Sequence, residues 1–261
     1  MTQAVKSGDF TDLAEYYINR VGYSPLLLKN LAAAMGIRQE SIIADVGAGT
    51  GKLTENLLEL PCQKIFAVEP NDAMRRVGME YAKDSRVVWS KGSGEATGLP
   101  DACVDFVFVG SAFHWMDTPK TLKEFSRILK KNGHLTVLWN PRDIKRSPLH
   151  ERIEKIIYDT VPNLKRVSSG FSDFTETLFE KLVSTGDFAD VFYMEAKHEE
   201  HMTKERYMGA WKSVNDIQAQ AGPENWEKIL ERIEQAIAHE PEIITPYRTR
   251  AWTAQHKSKA L

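Results

Sequence analysis

The sequence predicts an α/β protein: a doubly wound, mostly parallel sheet with helices on both faces. Three observations carry this. Between residue 41 and about residue 140, short apolar runs alternate with stretches of helical periodicity. A glycine-rich turn, GAGTG at 47–51, joins the first apolar run to the first of these helices. Strands alternating with helices of this length need crossover connections, so they pair in parallel and bury both faces.

Taken in order, the apolar runs predict strands over Ser41 to Val46, Lys64 to Val68, Arg86 to Trp89, Val104 to Val109 and His134 to Trp139. Helices are expected over Lys52 to Leu60 and Asp72 to Lys83. A third helix, in DTPKTLKEFSRILKKNG, has Thr118 as N-cap, Pro119 at the first helical position, a stripe of Leu122, Phe125 and Leu129, and Gly133 at the stop. Residues 148–184 read as helices. STGDFADVFYMEAKHEE reads as a loop and a long strand, and TPYRTRAWTAQHK as a last strand forming an antiparallel edge with it. Between them lies an insertion, residues 203–242, whose final helix presents Trp226, Ile229, Leu230, Ile233 and Ile237 on one face.

Composition narrows the function classes. With 42% hydrophobic and 27% charged residues in 261, and a net charge of −2, the chain reads as a soluble globular protein without the basic surplus of a nucleic-acid binder. Lys123, Arg127, Lys130 and Lys131 read as the cationic last turn of a helix. Cys62 and Cys103 have neither metal spacing nor the look of a disulfide framework. No apolar stretch follows Met1, and nowhere do eighteen apolar residues run together, so a cytoplasmic location with no membrane contact is expected. HEEH at 198–201 is too short for a zinc pattern, and on a strand His198 and His201 face opposite ways, so no metal is expected. There is no G-x-S-x-G elbow and no convincing nucleophilic cysteine.

The glycine loop discriminates among cofactors. A phosphate-cradling P-loop needs four residues before its Gly-Lys pair and a Ser or Thr after it; three separate Gly47 from Gly51-Lys52, and Leu53 follows. The dinucleotide fingerprint needs a third glycine where Lys52 stands. What remains is D-x-G-x-G-x-G: Asp45, Gly47, Gly49 and Gly51. With this motif the chain resembles the class I S-adenosylmethionine-dependent methyltransferases along most of its length. The physical logic agrees, since a cofactor without phosphates must lie against bare backbone that side chains would obstruct.

The resemblance implies a Rossmann-like, seven-stranded sheet with an antiparallel C-terminal strand, and S-adenosylmethionine as cofactor. It implies three parts: an N-terminal helical lid segment at 1–40, a cofactor-binding domain at 41–202 and 243–261, and a helical insertion at 203–242 covering the acceptor pocket. Asp45 and the carbonyl of Gly47, with Ala48, would face the cofactor's ammonium end. In KIFAVEPNDAM, Glu69, followed by Pro70, stands where a carboxylate can accept both hydrogen bonds of a ribose diol, a feature shared with NAD enzymes. In KGSGEATGLP, Ser93 and Gly94 occupy the places that read adenine, with Ser93 where the family often has Asp, and Glu95 bracing the loop. Gly110 and Ser111 would border the methionine part.

SAFHWMD resembles the HW signature of the trans-aconitate methyltransferase-like subgroup. His114 there is a candidate general base, with a capping role as the alternative reading. AEYYINRVGYSP resembles a stretch that closes over the cofactor's carboxylate, aligning Tyr16, Arg20 and Tyr23, with Val21 in place of the family's proline; an arginine fork suits a carboxylate. Tyr23, Trp115, Trp139, Asn140, Tyr207 and Trp211, with Ser213 and Asn215, are placed around the acceptor. The function expected is in-line methyl transfer to an O, N or C atom of a small molecule by a monomer or homodimer. The alternatives are a non-catalytic S-adenosylmethionine-binding or regulatory protein and an NAD-linked oxidoreductase.

Overall fold

The computed structural model describes residues 8–166, 170 and 172–257. In chain order, α1 (Ala14–Tyr17) and α2 (Pro25–Met35) precede β1 (Ile42–Val46), α3 (Lys52–Leu58), β2 (Lys64–Val68), α4 (Asp72–Tyr81) and β3 (Val87–Ser90). Then come β4 (Val104–Gly110), α5 (Thr118–Ile128), β5 (Leu129–Trp139), α6 (Pro148–Thr160), α7 (Asp173–Glu176), α8 (Leu178–Val183) and β6 (Phe188–Met202). The insertion supplies α9 (Lys204–Lys212) and α10 (Asn215–Ile237), and β7 (Ile243–His256) closes the chain. Residues 1–7 of the expected lid segment and 258–261 of the expected last domain lie outside the described residues.

The seven strands form one sheet in the order β3-β2-β1-β4-β5-β7-β6. The first five are parallel, and β7 runs antiparallel between β5 and β6. Two-residue alternation along β4 explains the layers. Val107 and Val109 point into a cluster with Leu122 and Phe125 of α5, while Phe106 and Phe108 point into one with Leu27 and Leu31 of α2 and Leu57 of α3. A third cluster holds the insertion: Tyr207, Trp211, Trp226, Ile229, Ile233 and Ile237 pack on Ile153 and Ile157 of α6.

Three local expectations need correction. The cap of α5 is Asp117, whose carboxylate accepts from Lys120 N at 3.2 Å, and Thr118 is already helical. The helix does not run on to Gly133: β5 begins at Leu129, with a register shift in its pairing to β4. The four cations therefore do not share a last turn; Arg127 pairs with Glu124 and Asp101, and Lys130, already in the strand, with Asp105. α10 bends at Gly222 (φ 73°, ψ 167°) before Pro223, so its second half begins where GPENWEK predicts a start.

Candidate active site

The chain leaves β1 toward β2 on one side and later returns to β4 on the other, so a crevice opens beyond the carboxyl ends of β1 and β4. The glycine loop forms its floor. Gly47 N and Ala48 N both donate to Val68 O, at 2.8 and 3.1 Å, which folds the loop back over β2. Gly47 (φ 72°) and Gly49 (φ 57°) are left-handed, and a Cβ on Gly47 would stand 2.7 Å from the Ala112 Cβ. Gly51 serves a different purpose. It heads α3, and its missing Cβ admits Ala82 and Trp89 on the side away from the crevice.

At the end of β2, the Glu69 carboxylate accepts from Gly49 N at 2.9 Å and Asn71 N at 2.8 Å. It is 7% exposed, and burial raises its pKa while these N–H groups pull it back. Each oxygen keeps acceptor capacity for a hydroxyl. Asp45 lies fully buried behind the loop: Oδ2 accepts from Thr54 Oγ1 at 2.6 Å, Oδ1 has no partner, and burial pushes its pKa up to about 7.

A cavity of about 410 Å³ runs from this floor to the far end of β5. On the side of the glycine loop its wall includes Gly47, Ala48, Gly49, Glu69, Pro70, Ser93, Gly94, Gly110 and Ser111. Glu95 also lines it and accepts from Asp117 N at 2.8 Å, tying the Ser93 loop to the start of α5. Ser111 is left-handed (φ 53°), and its hydroxyl meets the Tyr23 phenol at 3.0 Å. The remaining wall includes Tyr23, Trp115, Trp139, Asn140 and Trp211. Asn140 is fixed, donating to Gly22 O at 2.7 Å and accepting from Thr249 Oγ1 at 2.7 Å.

The roof comes from two distant stretches clasped together. Arg20 lies over the Tyr17 ring at 4.2 Å and donates from Nε to Ser213 Oγ at 2.8 Å and from Nη2 to Ser213 O at 2.9 Å. Asn215 accepts from Gly8 N and donates to Asp9 O, both at 2.8 Å. Phe10 stands edge-on to both Tyr17 and Trp115.

Six of the expected site residues do not line the cavity, among them Ser213, which is fully buried and holds Arg20. Tyr16 is 42% exposed, and the helical turn gives its place to Tyr17. Asp45 and Gly51 stand behind the loop as described. Tyr207 is fully buried beneath Trp211. The His114 ring packs between Trp115, Trp139 and Phe174; both its nitrogens are buried without partners, and desolvation pushes its pKa down to about 4. Sequence reasoning missed Tyr17, Arg142, His150 and Asp216, all on the cavity wall. Arg142 carried one signal: it follows directly on the predicted strand end at Trp139 and Asn140. Among the described residues no cluster of side chains could hold a metal ion.

Residues 44–137 match the model of a family described as a methyltransferase domain. Over these residues the chain is similar to the class I S-adenosylmethionine-dependent methyltransferases. It is 37% identical over 133 residues to an uncharacterized methyltransferase of Schizosaccharomyces pombe, covering 51% of this chain and 52% of that one. The chain spans about half the length of the curated relatives it matches. Among solved structures it resembles a protein from Anaeromyxobacter dehalogenans assigned as a type II methyltransferase, at TM-score 0.62 and 19% identity, covering 91% of this chain and 97% of that one. It also resembles a phosphoethanolamine N-methyltransferase of Haemonchus contortus, bound to phosphomonomethylethanolamine and S-adenosylhomocysteine, at TM-score 0.55 and 15% identity over 95% of this chain and 57% of that one. At these identities the two structures speak for the fold alone.

The cavity fits S-adenosylmethionine, the cofactor of the family that these residues match. The glycine cradle would be filled by a Cβ at Gly47, and a buried carboxylate faces the floor at Glu69 where a diol can bind. Among the described residues no helix is long and apolar enough to cross a membrane.

Proposed function

We propose that this protein binds S-adenosylmethionine along the 47–51 loop and transfers its methyl group to an O, N or C atom of a small molecule. One observation carries the reading: a left-handed glycine loop with no phosphate-binding pattern and the Glu69 carboxylate form the floor of one cavity that extends on to an aromatic far end. When bound, the cofactor would supply a sulfonium methyl: the acceptor's electron pair would form the new bond to carbon, and the C–S bonding pair would stay on sulfur, leaving a neutral thioether.

The chain's own part is alignment and exclusion of water, which in favourable intramolecular cases is worth about 7 to 11 kcal/mol. Glu69 holds the ribose, Ser93 and Gly94 the adenine, and Gly110 and Ser111 the methionine part. Arg20, clasped to Ser213, and the 8–23 segment act with the insertion as a lid, and the roofed cavity supports a small molecule as acceptor. Either a monomer or a homodimer satisfies this arrangement. His114 shapes the wall behind Trp115 and Trp139. A proton lost by the acceptor then passes to solvent, and an acceptor already ionised needs no base.

Calorimetric titration with S-adenosylhomocysteine and with NAD tests the cofactor. Binding of the first alone is expected; binding of NAD alone overturns the reading in favour of a dehydrogenase. Incubation with methyl-labelled cofactor and a metabolite extract should yield labelled small molecules. A protein that binds S-adenosylhomocysteine yet labels nothing is non-catalytic.

A further inference from the structure

At its far end the cavity meets a cation with no anion. Arg142, half-buried just past β5, is tied by a backbone bridge to Tyr247, and its guanidinium carbon lies 4.2 Å over the Trp211 ring and 5.8 Å from the Tyr207 ring. Among the described residues no carboxylate is within ion-pair distance of it. Asp143 is held by Arg248 at 3.0 Å, and both oxygens of Glu154 accept from Arg166 Nη1, at 2.6 and 3.0 Å.

Donors outnumber acceptors there, the Tyr247 phenol beside the Arg142 side chain being one acceptor. On the cavity wall, Arg142 Nε and the Trp211 indole N–H are buried and have no hydrogen-bond partner, and neither has His150 Nε2. Native proteins leave few such groups, and several together around one unpaired guanidinium mark a place where a ligand completes the set. Burial and the Arg142 charge push the His150 pKa down to about 4, so that ring adds no charge. Glu154 and Arg166 cancel. The pole carries a single net positive charge on a planar, stacked fork, which matches one carboxylate and under-compensates a phosphate dianion.

We propose that Arg142 seats a carboxylate of the acceptor, as a recognition group distinct from the atom that is methylated. A carboxylate clamped in a guanidinium fork has its electron pairs committed to N–H donors and is a poor nucleophile, so the fork anchors the molecule while another of its atoms faces the cofactor. The word acceptor rests on the methyl-transfer reading; the carboxylate site itself does not.

The test is direct binding to the full chain, with and without S-adenosylhomocysteine, read by calorimetry and by thermal melt. The probes are hexanoate, decanoate, benzoate, phenylacetate and indole-3-acetate, their primary amides, and phenyl phosphate. At least one acid should bind and raise the melting temperature while its amide and phenyl phosphate do not. Arg142→Met should weaken that acid roughly 30-fold or more, Arg142→Lys should recover part of the loss, and affinity for S-adenosylhomocysteine should stay within about twofold. Silence of every acid, equal binding of acid and amide, tighter binding of phenyl phosphate, or an undiminished acid affinity in Arg142→Met overturns the proposal. Loss of S-adenosylhomocysteine binding in a protein that still binds the acid sinks the methyl-transfer reading and leaves this one standing.

Discussion

At Gly49 the main chain does two jobs at once: it turns left-handed and offers its N–H to Glu69. A β-branched side chain there is strained by about 1–3 kcal/mol and projects from the cavity floor, so Gly49→Val should abolish S-adenosylhomocysteine binding in a titration while the melt stays cooperative. Asp45 gives a pH signature. Burial raises its pKa from 3.8 to about 7, so the folded chain holds this proton more tightly than the unfolded one, and stability falls as pH rises through that window. Asp45→Asn should therefore match the native protein near pH 4 and exceed it at pH 8 by up to about 4 kcal/mol, as chemical denaturation across pH would show. For His114 the sign is opposite. Its pKa is lowered to about 4, so its contribution is lost as pH falls below 6.5. As a wall residue it should tolerate His114→Phe with turnover within about threefold, whereas His114→Ala opens a void costing about 2–4 kcal/mol; a drop of about a hundredfold in His114→Phe would restore the general-base reading.

Elements differ in how plainly they announce themselves. β2 is legible to the residue because the apolar run Ile65 to Val68 follows Lys64 between a helix opened by Gly51 and a turn, and α5 is legible in its stripe but not its ends. Its C-terminus escaped because Leu129 serves equally as a helix-face residue and as the first residue of β5, and only pairing with Val104 decides. The cofactor side of the site was readable, since backbone conformation demanded glycine there. The far side was not: Tyr17 rather than Tyr16 faces inward through a helix phase set by packing, and Arg142 and His150 share the cavity wall only because α6 packs on the 144–146 turn and on α10. The roof depends on a few contacts between elements about two hundred positions apart. Asn215→Ala removes both bonds to Gly8 and Asp9, so cleavage within residues 8–20 by a limiting protease should quicken, and S-adenosylhomocysteine should leave faster with its association rate little changed.

For the molecule as a whole, a ligand that bridges the loop, the sheet ends and the roof should register as global stabilisation. S-adenosylhomocysteine at one hundred times its Kd adds about 2.7 kcal/mol, or a rise of about 5–10 °C in Tm for a chain of this size, where NAD should add nothing. The join between roof and sheet has a further implication. Met202 pairs with Ile243, so residues 203–242 depart from and rejoin the scaffold at a single rung of the β6–β7 ladder. The insertion is thus a cassette on a hairpin: it can be lengthened, shortened or traded without shifting any strand's register, and selection can retune the guest this scaffold admits while the glycine cradle below goes untouched.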